Sequence, residues 1–165
     1  MLTALSVSLQ AQDFKQLILG VWQEEKVTFA LVCKGKTYDN FVPEWNYGRG
    51  VFTYFFREDG LLELDSGIGE LSSGIYRIDG GRLFRAVDGI ELQETIRQVD
   101  SQWLVTEESE TEILTASDMK DMREMCKEGD FPAKSIRLLK RFVGKEITIC
   151  KVTYYRRIDD AEESR

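Results

Sequence analysis

The chain has 165 residues, 42% of them hydrophobic and 31% charged, with a net charge of −7. That length supports one domain with its own core and no covalent staples, and the acidic balance argues against general nucleic-acid binding, which needs a basic footprint. Histidine is absent, which excludes Ser-His-Asp and Cys-His catalysis and removes the commonest zinc ligand.

Residues 1–12, MLTALSVSLQAQ, form a short apolar run ahead of the charged DFKQ. The run reads as the back half of a secretory signal with Ala11 at the cleavage point, although no basic stretch precedes it. The other reading is a plain N-terminal arm or short helix. The first makes the protein secreted or periplasmic; the second makes it cytoplasmic. No stretch approaches the ~20 apolar residues of a membrane-spanning helix.

Val21 to Cys33 reads as a long strand in which Val27, Phe29, Leu31 and Cys33 share a face. Trp22 has the opposite parity, so either a bulge lies near Gln23 to Lys26 or Trp22 does not face the core. Lys34 to Gly50 is broken by Gly, Asn, Asp and Pro and reads as a loop, with Tyr38, Phe41, Trp45 and Tyr47 in it. Long loops of this kind are usually functional.

A run of hairpins follows. Val51–Glu58, Leu61–Asp65, Leu71–Ile78, Arg82–Val87 and the pair within Ile90–Glu108 alternate and are separated by Asp-Gly, Gly-Gly and Asp-Ser turns. Thr111–Ala116 reads as a further short strand. Two helices come next. The first has Met119, Met122, Met125 and Cys126 on one face, Ser117 as its cap and Gly129 as its stop. The second begins near Pro132, buries Ile136, Leu139, Phe142 and Val143, and carries Lys134, Arg137, Lys140 and Arg141 opposite. Glu146–Ile158 is a last strand with Ile147, Ile149, Val152 and Tyr154. Residues 13–158 thus form a single domain and 159–165 a polar tail. Regular hairpin spacing with no intervening helix marks an antiparallel sandwich or barrel and excludes a parallel sheet.

Gly20-Val21-Trp22 on the first strand, the hairpin meander, and helix before a last strand ending in YYRRI together resemble the lipocalin family and its bacterial lipocalin-like relatives. FFREDGLLELD followed by GIYRIDGGRL resembles the middle of the bacterial pattern. The resemblance implies a mainly β, up-and-down antiparallel barrel of about eight strands, with two short helices before the last strand where one is usual. It further implies that Trp22, after Gly20, plugs the closed end and that Arg156 or Arg157 packs across its indole.

The remaining aromatics, Trp45, Tyr47, Phe52, Tyr54, Phe56, Tyr76, Trp103 and Tyr154, are the candidate ligand-binding residues. They either line a cavity for a small apolar or amphipathic ligand or simply fill the barrel. An interior cavity of roughly 300 Å³ or more, lined by Tyr54, Phe56 and Tyr76, would favour the first reading. A filled barrel leaves a protein-interaction module, such as an inhibitor or envelope component, using the 34–50 loop. Carboxylates such as Glu63 and Asp65 share strand parity, but no pair is placed for glycoside hydrolysis, so the expected role is non-enzymatic, without cofactor or metal. The three cysteines, Cys33, Cys126 and Cys150, form no C-x-x-C. Pairing Trp22 near Tyr155 puts Cys33 and Cys150 too far apart along the strands to bond.

Overall fold

The computed structural model describes residues 14–42, 45–46, 52–128 and 132–158. The expectations for residues 1–12 and for the 159–165 tail lie outside them. The strands are β1 (Gly20–Cys33), β2 (Lys36–Asp39), β3 (Trp45–Asn46), β4 (Thr53–Phe56), β5 (Leu61–Asp65), β6 (Leu71–Asp79), β7 (Arg82–Val87), β8 (Ile90–Val99), β9 (Trp103–Ile113) and β10 (Glu146–Arg157). Helices α1 (Ala116–Glu128) and α2 (Ala133–Leu139), with a 3₁₀ turn at Lys140–Phe142, precede β10. The sheet order β10-β9-β8-β7-β6-β5-β4-β1 closes through a β10–β1 pairing. This is the mainly β, antiparallel barrel of eight strands, with β2 added beside β1.

Two expectations about elements are corrected. The 34–50 stretch is not all loop: β1 turns directly into β2, pairing Leu31 with Tyr38 and Cys33 with Lys36. Lys34 and Gly35 both take positive φ, 50° and 74°, as a two-residue type I′ hairpin turn requires. A lysine in the first of those places hid the turn. Thr111–Ile113 is likewise no separate strand but the end of β9.

The chain divides into two compact units. The first comprises the described parts of 1–26, 46–107 and 153–165, and all eight barrel strands contribute to it. Its core is Ile18, Trp22, Phe56, Leu62, Tyr76, Leu83, Ile96, Leu104 and Tyr155. β6 can run close to β7 because residue 74 is glycine. A Cβ there would lie 2.0 Å from the Ala86 carbonyl oxygen and 2.8 Å from Val87 Cγ2.

The second unit comprises 27–45 and 108–152, with a core of Leu31, Cys33, Phe41, Val42, Leu114, Met119, Ile136, Leu139, Phe142 and Ile147. α1 is capped by Thr115 rather than Ser117. Thr115 Oγ1 accepts from the Asp118 amide at 3.2 Å while Asp118 Oδ2 accepts from the Thr115 amide at 2.7 Å, a reciprocal capping box. These bonds hold the Asp118 carboxyl below its ordinary pKa, the Thr115 side chain contributing most. Met119, Met122 and Cys126 face the core, but Met125 and Val143 are exposed. α2 docks through Ser135, whose hydroxyl donates to the Phe41 carbonyl.

In β1 the buried positions run Trp22, Glu24, then Val27, Leu31, Cys33. The phase slips by one residue at Glu25–Lys26, the displacement a β-bulge makes. Trp22 and Val27 can therefore both be buried despite opposite parity.

Candidate functional site

One end of the barrel in the first unit is built around Trp22, which is fully buried. Its Nε1 donates to the Ile18 carbonyl at 2.7 Å. The Arg157 guanidinium lies over the indole, 4.6 Å from the ring centroid, and Arg157 Nη2 donates to the carbonyls of Leu17 and Leu19 at 2.7 Å each. A cation on an indole face contributes about 0.5–2 kcal/mol. Of the two arginines in YYRRI, Arg157 holds this place, and Arg156 faces Glu25 at 3.8 Å. Gly20 has φ +121°, and a Cβ there would sit 3.6 Å from Arg157 Nη2. Only glycine adopts that backbone readily, which accounts for the glycine two residues before the tryptophan.

Along the strands away from Trp22 the interior becomes polar. Arg85 on β7 and Glu94 on β8 are 7% and 4% exposed, and Arg85 Nη2 lies 2.6 Å from Glu94 Oε2. Glu94 stands opposite Leu83, so it meets Arg85 diagonally across the β7–β8 pair. Thr106 on β9 donates to Glu94 Oε1 at 2.7 Å. Arg85 Nη2 also donates to the Tyr155 hydroxyl at 3.2 Å, and its guanidinium stands 5.0 Å from the Tyr54 ring. Tyr54 in turn donates to Glu24 at 3.4 Å.

Burial works against the charge on Arg85, but Tyr155, Glu94 and Tyr54 outweigh it and raise the guanidinium's pKa above its ordinary value. Burial pushes the Tyr54 hydroxyl up to about 12, with Glu24 and Glu94 adding to the rise and Arg85 opposing it. Tyr155 is raised well above its ordinary value by the same burial.

This cluster is not fully satisfied. Among the described residues, Arg85 Nε meets no acceptor, and Glu94 Oε2 is close to Arg85 without the alignment of a hydrogen bond. A buried donor left unpaired costs about 1–3 kcal/mol. Arg85 also lines an open pocket of about 160 Å³ with Tyr54, Leu64, Val87, Asp88, Ile90 and Leu92. Its walls are mostly apolar, with Tyr54, Arg85 and Asp88 as the polar members of the lining.

Of the candidate ligand-binding residues, only Tyr54 lines this pocket. Phe56 and Tyr76 meet edge to face with ring centroids 4.9 Å apart, and both are buried in the core. Tyr76 donates to the Arg57 carbonyl at 2.7 Å. They fill the barrel, and the interior space is about half of what the sequence led us to look for. Phe52 is half-buried and accepts the Glu24 amide through its carbonyl at 3.0 Å. Trp103 is half-buried at the start of β9, its amide held by Asp100 at 2.8 Å. Tyr154 lies under the Lys26 ammonium, 4.6 Å from the ring centroid. Its neighbour Tyr155 is the one that faces inward, because β10 keeps the parity of Ile147 to its end. Trp45 contributes backbone to β3, and Tyr47 lies outside the described residues.

Sequence reasoning missed Arg85, Glu94, Glu24 and Tyr155. RLFRAV alternates equally well in either phase, and apolar Phe84 draws the eye. In the molecule Phe84 turns outward under Arg77, 3.7 Å from its ring centroid. A larger hollow of about 470 Å³ is lined by residues of β6, β7 and β8, including Ile75, Tyr76, Arg77, Phe84 and Arg85. Arg85 thus borders both hollows, and the smaller one, whose lining adds Tyr54 and Leu64 from neighbouring strands, is taken as the candidate site.

Other candidate features have structural roles. Glu63 pairs with Arg57 at 2.7 Å and Asp65 accepts the Gly67 amide at 2.8 Å. In the 34–50 stretch Tyr38 packs on Phe142 at 5.1 Å and Phe41 is buried. The three cysteines are free.

No protein-family profile matches the chain and no curated protein matches it. Among solved structures it is similar to a polyisoprenoid binding domain from Saccharophagus degradans implicated in plant cell wall breakdown, at 9% identity and a TM-score of 0.33, over 85% of this chain and 99% of that one.

Proposed function

We propose that this is a lipocalin-like binding protein that holds a small amphipathic ligand, without catalysis, in the pocket walled by Leu64, Val87, Ile90 and Leu92. The observation that supports this reading most directly is the pocket's lining: the apolar side chains of Leu64, Val87, Ile90 and Leu92 meet the polar groups of Tyr54 and Arg85 around a hollow of about 160 Å³. Ligand sites combine apolar walls with a few placed polar groups. A non-enzymatic role fits the interior carboxylate Glu94, which is engaged by Arg85 and Thr106 rather than poised against a substrate. Residues 1–12 support export to the periplasm or medium.

Native mass spectrometry of protein purified without delipidation tests this. A co-purifying small molecule, lost when Leu64→Trp fills the pocket, is the expected result. Identical spectra for the two proteins would count against the reading.

A further inference from the structure

We propose that the outward face of α2 and of the 3₁₀ turn that follows it docks on an anionic lipid bilayer. The inference stands apart from the pocket and from whatever the pocket holds.

Charge is segregated here. Residues 133–145, AKSIRLLKRFVGK, contain Lys134, Arg137, Lys140, Arg141 and Lys145 and no acid, in a chain whose net charge is −7. All five basic residues are exposed. Lys134, Arg137, Lys140 and Arg141 make no salt bridge among the described residues.

The backbone gathers these charges on one side. Ser135, Ile136, Leu139 and Phe142 are buried, so helical spacing turns Lys134, Arg137 and Arg141 outward together. Lys145 folds back onto the same side. Its Nζ donates to the Arg141 carbonyl at 2.7 Å and lies 5.6 Å from the Phe142 ring centroid. Phe142 packs on Tyr38, and Lys36 stands over Tyr38 at 5.1 Å. The two packed rings thus join a β2 cation to those of the helix. Of the bordering acids, Asp39 has the opposite strand parity to Lys36 and Tyr38, and Glu146 begins β10.

The composition of the face selects its occupant. A folded acidic partner would need an anchor side chain to bury. Phe41 and Phe142 are already buried, Tyr38 lies under Lys36, and the apolar side chain on offer is Val143, 41% exposed. A nucleic acid needs a basic footprint, and outside residues 133–145 acids outnumber bases. An anionic bilayer asks for neither. It attracts Lys and Arg residue by residue, without shape complementarity. Because Ile136 and Leu139 are committed to the core, attachment is peripheral, electrostatic and reversible, with Val143 as an apolar contact.

The test is cosedimentation of the full chain with vesicles of phosphatidylcholine containing about one-third phosphatidylglycerol, and with phosphatidylcholine alone. The expected result is binding to the mixed vesicles at low salt, none to phosphatidylcholine alone, and release as salt rises. Arg137→Gln/Arg141→Gln should weaken binding about tenfold or more, at roughly fivefold per cation. Lys15→Gln/Arg82→Gln removes the same charge from exposed positions outside this face and should keep the parent's affinity. Far-ultraviolet circular dichroism checks that both variants fold. Equal weakening in the two variants would overturn the inference, since net charge rather than this face would be responsible. Equal binding to both vesicle types, or no binding to the mixed vesicles at low salt, would overturn it too. Retention on polyglutamate or duplex DNA by a chain that ignores the vesicles would assign the face to an acidic macromolecule instead.

Discussion

Removing Arg85 while keeping Glu94 would strand a carboxylate that is only 4% exposed. Breaking one side of a buried pair typically costs about 3–5 kcal/mol, whereas replacing both partners by apolar residues is often neutral or stabilising. Arg85→Met is therefore expected to lower stability by that order, and Arg85→Met/Glu94→Leu to lose little. Urea denaturation of the three proteins checks this. A single variant within about 1 kcal/mol of the parent would mean that water reaches the pair. Tyr54 supplies a pH test. Its folded-state value is raised from 10 to about 12, mainly by burial. Below pH 10 folded and unfolded chains both keep the proton. Between 10 and 12 the unfolded chain releases it and the folded chain does not, so stability falls as pH rises through that window. One such group contributes up to about 1.4 kcal/mol per pH unit. Denaturation midpoints from pH 9 to 11.5 are expected to fall less steeply in Tyr54→Phe than in the parent. Parallel curves would show that the hydroxyl is not protected.

At the level of strands and helices, the hairpins were legible wherever glycine or Asp-Gly marked the turn. β4 to β8 all follow that pattern, and the β8–β9 turn is marked by Asp100-Ser101 instead. The β1–β2 turn was not legible, because Lys34 adopts a positive φ that its side chain gives no sign of. The site was less legible than the fold, for a related reason. Period-two alternation says that one face is buried but not which, and RLFRAV and TYYRR each offer two consistent phases. Register against the neighbouring strands decides, and it places Arg85 and Tyr155 inside. Gly74 is a position where the strand rather than the side chain sets the requirement. The Ala86 backbone 2.0 Å from its would-be Cβ cannot yield as a side chain could. Gly74→Ala is expected to cost about 1–3 kcal/mol, lowering Tm by several degrees. Neighbouring Ser73→Ala, at an exposed position, should leave Tm unchanged within error. Thermal unfolding of both variants decides the point.

For the whole molecule, the two units each have a hydrophobic core, and the cysteines do not link them. Cys33 is buried while Cys126 and Cys150 are half-buried, and all are free. Denatured, unreduced protein is expected to show three reactive thiols per chain in a thiol titration. A count of one would mean that two had paired. The barrel itself was foreseeable from turn spacing and from the Gly20, Trp22 and Arg157 constellation. The contents of its interior were not, because a charged pair inside a barrel looks, in sequence, like two solvated residues on neighbouring strands.

The Arg157 contacts have a bearing on chain order. Its guanidinium grips the carbonyls of Leu17 and Leu19, and the Ile158 amide donates to Val21 at 3.0 Å. Residues 17–21 and 157–158 are thus stitched together, while the 66–70 turn between β5 and β6 is exposed, with Ile68 80% accessible. A circular permutant joined by a short flexible linker from 158 to 14, with new termini at Gly67 and Ile68, keeps every strand pairing of the closed sheet. It is expected to give the parent's near-ultraviolet circular dichroism, because a closed ring of strands has no first member.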